Sequence, residues 1–438
     1  MTGLELLLLL PTVALTVPAA VLALQAAAAI REPCEPPPGA LTEPLEPTAT
    51  TAATPAIAAT SEARESTGTR APDAATDPTA PSGALRPRAA VLMPAHNEAA
   101  GIADALGTVR PQLRPGDRLL VVADNCSDDT AAIARAAGAE VAPRHDAARR
   151  GKGFALDFGV RRLASDPPQV LVMLDADCRL HEGALDRLVE ACAAHARPVQ
   201  ALYLMRGRPG AGLRERIAEF AWRVKNQLRP LGALRLGAPC QLMGTGMAFP
   251  WRLIADAPLA SGHLVEDMKL GIDLTLAGRA PRFEPRALVT SRFPEPGAAA
   301  TRQRTRWEHG HLATLLSDGP RLLGRGLARR DAACVALALD LMVPPLALLL
   351  GLTLAMAAVN GLVGWALLGA VTPAWVSAAA LGLLGAVVLI AWVRVGRDLL
   401  QLRELACAPF YAAAKLPIYL RFLVGRQVDW VRAKRDGD

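Results

Sequence analysis

Aromatic residues and paired cysteines are scarce in this sequence. Phe, Trp and Tyr make up 4% of the 438 residues, although hydrophobic residues as a whole make up 52%. Leu and Ala supply most of this apolar content, more than in an average soluble domain, so we expect part of the chain to lie in lipid. The seven cysteines are odd in number and form no CxxC pair. This pattern argues against a disulfide framework or a zinc ribbon and indicates a reduced compartment.

The net charge of +7 is not concentrated in a basic stripe. Lys and Arg are spread along the chain, and several flank apolar segments, as at Arg325, Arg329 and Arg394. A nucleic-acid-binding surface would interleave such residues with aromatics, so we expect no nucleic-acid partner. Basic residues beside apolar segments are instead typical of contact with lipid headgroups.

Two apolar regions are long enough to cross a membrane. Residues 6–30 carry no charge and can span a bilayer of about 30 Å, and no positively charged signal-peptide region precedes them. We therefore predict that residues 1–30 are an N-terminal transmembrane anchor. Residues 329–395 are predicted to form two transmembrane helices with a turn near Pro373, and 396–438 an interfacial segment and a basic cytoplasmic tail.

Between these regions the sequence changes character twice. Residues 31–86 are rich in Pro, Ala, Thr, Glu and Ser and contain no aromatics, which predicts a disordered linker. Residues 87–328 read as a globular domain in which apolar runs such as 170–174 alternate with helical stretches. This alternation predicts an α/β fold, a mostly parallel sheet with helices on both faces. Ligands bind such sheets at the carboxyl ends of the strands.

Asp175 and Asp177 directly follow the apolar run 170–174. Two carboxylates separated by one residue can converge on a hard cation such as Mg²⁺ or Mn²⁺, which also accepts diphosphate oxygens. Such a cation neutralises charge that builds up on a phosphate leaving group. A solvated turn after a strand is the alternative for this pair taken alone.

Other polar residues could take part in the same chemistry. Asp124 ends a predicted strand and could accept hydrogen bonds from a base or a ribose, or simply precede a helix. Lys152, between two glycines, can reach a phosphate, although no Walker A sequence surrounds it. Glu266 or Asp267 could act as a general base, or both could stabilise the first turn of a helix.

The segment from Gln303 to Trp307 combines a cation with a large ring. Arg306 can hold a diphosphate through two parallel hydrogen bonds, and Trp307 can stack on a sugar. A helix at the membrane interface is the alternative interpretation. His309 and His311 follow, and we expect this pair to be exposed rather than to bind a metal.

Taken together, these motifs resemble those of the inverting glycosyltransferases of family 2. The membrane-integrated branch, which includes cellulose, hyaluronan, poly-N-acetylglucosamine and ceramide-glucose synthases, is the closer match. The residues that carry the resemblance, in order and spacing, are Pro94-Ala95-His96-Asn97-Glu98, Asp124, Asp175-Ala176-Asp177, Glu266-Asp267 and Gln303-Arg304-Thr305-Arg306-Trp307. The resemblance covers about residues 88–320.

This resemblance implies a GT-A fold, a UDP-sugar donor, and displacement at the anomeric carbon with inversion. Glu98 and Asp124 would contact the uridine, and Lys152 would lie near the nucleotide. Asp175 and Asp177 would bind the ribose and Mg²⁺ or Mn²⁺, and Asp267 would be the general base. Gln303, Arg306 and Trp307 would hold the diphosphate and frame the acceptor, with Glu266, Gly244, Thr245 and Gly246 on the acceptor side.

The resemblance leaves the acceptor open between a polysaccharide and a lipid. Two C-terminal spans are fewer than multi-span polymer synthases carry, which favours short products or a partner subunit of an export system. The expected location is the inner (cytoplasmic) membrane, with the catalytic domain in the cytoplasm and in contact with membrane lipids.

Two other functions compete with sugar transfer. A catalytically silent scaffold of an export complex would tolerate loss of Asp267, Asp175 or Asp177, yet all three are present. A transporter would need a polar pathway, and Asp340 is the single acid in the apolar region 331–394. We expect Asp340 to reach the membrane interface, so that Asp340→Leu leaves activity largely intact.

Overall fold

The computed structural model describes residues 3–30, 86–260, 265–294, 297–367, 369 and 371–424. Residues 31–85 of the predicted linker and the basic stretch 425–438 lie outside the described residues. The chain re-enters the described part at Arg86, whose buried guanidinium forms ion pairs with Asp117 and Asp186.

One mixed sheet of eight strands organises the globular part, in the order β3-β2-β1-β4-β7-β6-β8-β5. The strands are β1 Ala89–Ala95, β2 Arg118–Asp124, β3 Glu140–Arg144, β4 Val170–Met173, β5 Arg179–Leu180, β6 Val199–Arg206, β7 Met247–Pro250 and β8 Arg282–Arg292. Strands β3, β2, β1 and β4 are parallel to one another, and β6 is parallel to β8. Strand β7 is antiparallel to β4 and β6, and β5 is antiparallel to β8.

Helices account for most of the remaining structure. They are α1 Gly3–Ala29, α2 Ile102–Val109, α3 Thr130–Ala136, α4 Lys152–Leu163, α5 Ala184–His195, α6 Leu213–Arg223, α7 Arg229–Arg235, α8 Trp251–Ile254, α9 Glu266–Leu276, α10 Ala298–Arg329, α11 Ala332–Leu341, α12 Leu346–Val359, α13 Val371–Val395 and α14 Ala408–Val424. A π-helical segment, Val224–Leu228, joins α6 to α7, and another, Asn360–Leu367, continues α12.

The central strands are buried on both faces, as the unbroken apolar runs predict for a parallel sheet. In β1, Val91 and Met93 belong to one core with residues of α2 and α5. Leu92 of the same strand belongs to a second core with Leu156 of α4. This alternation places helices on both sides and leaves the loops at the carboxyl ends of the strands open to form a site.

Three helices are long and apolar enough to cross a membrane, Glu5–Ala29, Leu346–Ala366 and Val371–Val395. They suggest that the protein associates with membranes, as predicted. The prediction placed Asp340 in the apolar region of the C-terminal spans, but this residue lies in the separate short helix α11. Pro373 is the third residue of α13, so this helix begins close to the position predicted for the turn.

Helix α1 packs against the globular part as well as against α13. Leu22 and Ala26 are buried in a core that also contains residues of β6, α7 and α13. A Cβ atom on Gly232 of α7 would overlap the backbone carbonyl of Gln25, so the two helices approach as closely as glycine permits. The anchor predicted from the sequence is thus tightly packed against the domain that carries the site.

Candidate active site

The loops after β1 and β2 hold each other in place at the edge of the sheet. Asn97 adopts a left-handed backbone with φ of 54°, and its side-chain amide exchanges hydrogen bonds with Ser127 at 3.0 and 2.7 Å. At the end of β2, the carboxylate of Asp124 forms a buried ion pair with Arg144 at 2.5 Å. The last residue of β2 is therefore fixed through the end of β3, its neighbour in the sheet.

Asp175 and Asp177 leave the end of β4 at the middle of the sheet. The backbone N–H of Asp175 donates to the hydroxyl of Thr245 at 3.0 Å, which fixes the start of the acidic loop. Asp175, Asp177 and Cys178 offer ligand atoms that all lie within 4.8 Å of one another. The two carboxylates supply the oxygen donors that Mg²⁺ and Mn²⁺ prefer, whereas the thiol is a soft ligand. Asp175 and Asp177 therefore fit a hard divalent cation.

Lys152, the first residue of α4, links this acidic loop to the opposite wall. Its Nζ atom lies 2.5 Å from Oδ1 of Asp175 and donates to the carbonyl of Gly244 at 2.8 Å. Gly244 has φ of +88°, and a Cβ atom there would lie 3.3 Å from Oδ2 of Asp267. The carboxylates of Asp175 and Asp267 thus approach one shared ammonium group.

The buried side chain of Gln200 fixes the loop from Met243 to Gly246, here called the glycine loop, and so positions the carbonyl of Gly244 beside Lys152. The side chain of Gln200 donates to the carbonyl of Thr245 at 2.9 Å and accepts from the N–H of Met243 at 2.8 Å. Gly246 has φ of +63°, and a Cβ atom there would come within 2.8 Å of Val289. The loop therefore requires glycine at this position for both its backbone conformation and its packing.

Negative charge exceeds positive charge around Lys152, and the pKa values reflect it. Burial raises the pKa of Glu266 to about 7, with Lys152 lowering it and Asp267 raising it further. Burial also raises the pKa of Asp267, while Lys152 opposes that shift. For Lys152, burial lowers the pKa, but Asp175 and Glu266 outweigh burial and the net shift is upward. The site thus combines an ammonium whose pKa is raised with carboxylates whose pKa values are also raised, a perturbation typical of catalytic sites.

One cleft with a volume of about 330 Å³ contains these groups and continues away from the sheet. Gln303, Arg306 and Trp307 of α10 line it on the side facing the acids. Burial lowers the pKa of Arg306, while Glu266 and Asp175 raise it, and its buried Nε atom has no hydrogen-bond partner among the described residues. A diphosphate held by Arg306 would supply such a partner.

Aromatic rings form the wall beyond Arg306. The rings of Trp222 and Trp307 have centroids 5.9 Å apart, and Trp222 also meets Phe293 and Tyr203 edge to face. The indole N–H of Trp222 donates to the carbonyl of Tyr203. This rigid aromatic surface is suited to stacking against a sugar ring.

The cleft brings together most of the residues predicted from the sequence. Its lining includes Lys152, Asp175, Asp177, Gly244, Glu266, Asp267, Gln303, Arg306 and Trp307. Glu98 and Asp124 follow the neighbouring strands β1 and β2 and are not part of this lining. Thr245 and Gly246, predicted on the acceptor side, are buried behind Asp175, where Thr245 positions the acidic loop.

Asp340 does not reach a membrane interface, contrary to the expectation from its sequence position. It is buried, and its carboxylate accepts from Arg229 at 2.8 Å, Gln25 at 2.7 Å and Gln241 at 2.6 Å. Burial alone would raise the pKa of Asp340, but Arg229 and the two amides hold it below its ordinary value. These partners belong to α1, to α7 and to the segment before Gly244, so the predicted interfacial position of Asp340 was wrong, while the expected activity of Asp340→Leu stays a prediction.

The expectation that His309 and His311 are exposed was also wrong. Their exposed fractions are 2% and 6% because α10 packs against α14 and α11 at these positions. His309 contacts the carbonyl of Ile418 at 2.9 Å, and burial lowers the pKa of His311 to about 3. Both therefore help to pack α10.

Trp222 and Lys225 are among the residues of the cleft that sequence reasoning missed. Trp222 is the penultimate residue of α6, and Lys225 lies in the π-helical segment, with its ammonium 5.5 Å from the centroid of the Trp222 ring. No motif marks either of them in the sequence. A π-helical turn, which often occurs at functional sites, becomes visible only in the folded chain.

Comparison with known proteins adds a family and a fold. Residues 87–310, just over half of the chain, match the family described as glycosyltransferase like family 2. The chain is 28% identical over 261 residues to the probable glycosyltransferase YdaM of Bacillus subtilis, a match covering 52% of this chain and 56% of YdaM. It is 24% identical over 251 residues to the poly-beta-1,6-N-acetyl-D-glucosamine synthase of Staphylococcus epidermidis, covering 52% of this chain and 55% of that protein. The chain thus spans about half the length of each.

Two further similarities cover more of the other protein. An uncharacterized glycosyltransferase of Mycobacterium bovis is 30% identical over 191 residues, which cover 40% of this chain and 81% of that protein. The solved structure of mannosyltransferase PcManGT from Pyrobaculum calidifontis, in complex with GDP-Man and Mn²⁺, has a TM-score of 0.50 at 16% identity. That alignment covers 96% of this chain and 100% of the other. The fold predicted from the sequence, a GT-A sheet accompanied by about three membrane-spanning helices, is confirmed.

Proposed function

Because the chain belongs to glycosyltransferase family 2, we propose that it transfers a sugar from a UDP-sugar to a polysaccharide or lipid acceptor at the membrane, with inversion. The observation that carries this proposal is the arrangement around Lys152. A carboxylate suited to act as a base, Asp267, and a carboxylate pair suited to a cation, Asp175 and Asp177, occupy one cleft with Arg306.

The proposed reaction is a single displacement. The carboxylate of Asp267 accepts the proton of an acceptor hydroxyl, and that oxygen forms a bond to the anomeric carbon of the sugar. The bond from this carbon to the diphosphate breaks, and the nucleotide diphosphate leaves with the electron pair. Arg306 and Lys152 attract the negative charge that the departing diphosphate gains.

Asp175 and Asp177 are the residues that would hold Mg²⁺ or Mn²⁺. When bound, the cation would supply Lewis-acid stabilisation of the diphosphate. The ammonium of Lys152 lies 2.5 Å from the carboxylate of Asp175. Lys152 would therefore bind the donor's diphosphate next to the cation that Asp175 would hold. Trp307 and Trp222 would provide the stacking surface for the transferred sugar or for the acceptor.

Glu98 and Asp124 are proposed to contact the uridine, beyond the lining of the cleft. Glu98 follows β1, the neighbour of β4, and Asp124 ends β2, the next strand along, so a nucleotide whose diphosphate lies near Asp175 could extend over these strand ends. Asp124 pairs with Arg144, which leaves its other oxygen for a base or ribose donor.

The three apolar helices and the neighbouring basic residues support a proposed location in the inner membrane. Arg325, Arg329 and Arg330 lie before the last two of these helices. Arg394 lies at the end of the last one, and Arg397 and Arg403 follow it. The positive-inside rule favours a cytoplasmic-membrane protein with the cleft on the cytoplasmic side, where nucleotide-sugars are made. Lipids, and subunits of a polysaccharide export system, are the proposed partners.

Nucleotide release tests the proposal. The protein is purified in detergent with Mn²⁺ or Mg²⁺ and offered a panel of UDP-sugars, with GDP-mannose included because PcManGT was solved with GDP-Man and Mn²⁺. We expect metal-dependent release of UDP from one sugar, lost in Asp177→Ala and retained in Asp157→Asn, a control whose carboxylate pairs with Arg161 on α4.

Two results would count against the proposal. Full UDP release by Asp177→Ala would show that the pair Asp175 and Asp177 is not needed for the reaction. Failure of any nucleotide-sugar to bind, measured by calorimetry with metal present, would favour the catalytically silent scaffold.

A further inference from the structure

The cleft extends from the acids past the tryptophan pair to the helices that can span a membrane. On that side its wall includes Leu22 of α1 and Leu346 and Ala347 at the start of α12. Both helices are long and apolar enough to cross a bilayer. The wall of one continuous space is therefore polar at the sheet and apolar at the membrane helices, as an amphipathic ligand requires.

Lys225 lies at the junction between the polar and apolar parts. It belongs to the π-helical segment between α6 and α7, and its ammonium lies over the Trp222 ring, 5.5 Å from the centroid. The Trp222 ring in turn meets the ring of Trp307, the residue after Arg306, at an interplanar angle of 49°. Lys225 is thus connected to the predicted diphosphate-binding residues through this pair of rings.

Lys225 differs from three other cations that line this space near the membrane helices or the acids. Lys152 pairs with Asp175, Arg229 with Asp340, and Lys415 with Glu308 at 2.5 Å. Within the described part of the chain, Lys225 forms no hydrogen bond or ion pair. Its ammonium instead makes a cation–π contact with the ring of Trp222. Burial lowers the pKa of Lys225, with Arg229 adding to the effect and Asp267, Asp340 and Glu308 opposing it. A desolvated cation without a carboxylate is a ready partner for an anionic ligand.

We propose that Lys225 binds the phosphate of a lipid-borne acceptor whose hydrocarbon chain lies against Leu22 and Leu346. This inference rests on the proposed function and specifies its acceptor. In the reaction, the attacking atom is either a phosphate oxygen of a polyprenyl phosphate, which is already ionised, or a headgroup hydroxyl oxygen, whose proton passes to the carboxylate of Asp267. That oxygen forms the bond to the anomeric carbon, the bond from this carbon to the diphosphate breaks, and the nucleotide diphosphate leaves with the electron pair. Two lipids carry the required group: a polyprenyl phosphate, and a phospholipid with a hydroxyl in its headgroup.

The test measures transfer of a radiolabelled sugar into lipid. The enzyme is reconstituted in phosphatidylcholine nanodiscs that contain, in separate arms, a polyprenyl phosphate, phosphatidylglycerol, or neutral diacylglycerol. The variants are Lys225→Met, Lys225→Arg, and the control Lys269→Met, whose ammonium pairs with Asp273 outside the main cleft.

We expect label in one of the two phosphate-bearing lipids, which identifies the source of the phosphate. Lys225→Met should raise the KM for that lipid about tenfold or more, because it removes a charge-assisted contact. Lys225→Arg should keep the KM within a few-fold, and Lys269→Met should match the unmodified protein. The affinity for the nucleotide-sugar should be the same in all variants.

Several results would overturn the inference. Equal labelling of neutral diacylglycerol, or an unchanged KM for the lipid in Lys225→Met, would show that Lys225 does not bind a lipid phosphate. Metal-dependent binding of the nucleotide-sugar without transfer to either phosphate lipid would defeat this inference and leave the proposed function standing. Loss of nucleotide-sugar binding altogether would defeat both. Thermal unfolding provides the control for folding, because Met at position 225 removes a desolvated charge and should not lower the melting temperature.

Discussion

Buried charge is arranged differently at the two ends of the cleft. At the sheet end, Asp175, Glu266 and Asp267 surround the single ammonium of Lys152, and the pKa values of the acids are raised. Toward the membrane helices, behind the wall that Arg229 forms, the buried carboxylate of Asp340 receives three donors and its pKa is lowered. The carboxylates around Lys152 outnumber its one ammonium, so they can still bind a metal cation and a proton. The charge of Asp340 is matched by Arg229, and this pair joins separate elements of the fold.

The largest expected effect comes from the sheet end. Asp267→Asn keeps the shape of the side chain but removes the proposed base, so sugar transfer should fall by about 10²- to 10⁴-fold. Binding of the nucleotide-sugar, measured by calorimetry, should change little because Asn can keep the same contacts. Asp273→Asn on the same helix is the matched control, since Asp273 pairs with Lys269 on α9. Transfer at the normal rate by Asp267→Asn would show that the base lies elsewhere.

The membrane end should respond in stability rather than in chemistry. Asp340→Leu leaves Arg229 buried without its carboxylate, which should lower the free energy of unfolding by about 3–5 kcal/mol. Adding Arg229→Met should restore most of this loss, because the unpaired buried charge is removed. Denaturant unfolding in detergent measures both variants. If Asp340→Leu unfolded like the unmodified protein, the comparison between the two ends would fail.

A smaller effect should follow from the contact between α1 and α7. Gly232→Ala places a methyl group against the carbonyl of Gln25, and the shift needed to fit it should cost about 1–3 kcal/mol. The KM for the nucleotide-sugar should stay unchanged, since the acids lie on other elements. Gly324→Ala on α10 is the control, because its Cβ would meet no atom within 4 Å and a helical Ala is favoured by about 1 kcal/mol.

The sequence predicted the sheet end of the cleft better than the membrane end. Asp175 and Asp177 could be placed because a run of buried residues, Val170 to Met173, predicts a strand, and strand ends gather at one edge of a parallel sheet. The antiparallel insertion of β7 and β5 could not be predicted, because local sequence does not encode the direction in which distant strands pair.

The environment of Asp340 illustrates why burial at the membrane end could not be predicted from the sequence. Its partners Arg229 and Gln25 are separated from it by 111 and 315 residues, so no local pattern links them. A lone acid in an apolar stretch favours an interfacial position until such partners are known. The same holds for His309 and His311, whose burial depends on the packing of α10 against α11 and α14.

The π-helical segment Val224–Leu228 also bears on how the chain can vary in length. A π turn takes up more residues than the α turn it replaces. Because the extra residue is taken up inside the π turn, the residues on either side of it face nearly the same way as they would in an unbroken α-helix. Deleting one residue from this segment would therefore let it close into a regular α-helix while Arg229 and Gly232 still face Asp340 and Gln25. Homologous chains can therefore differ by one residue between Trp222 and Gly232 without losing either contact.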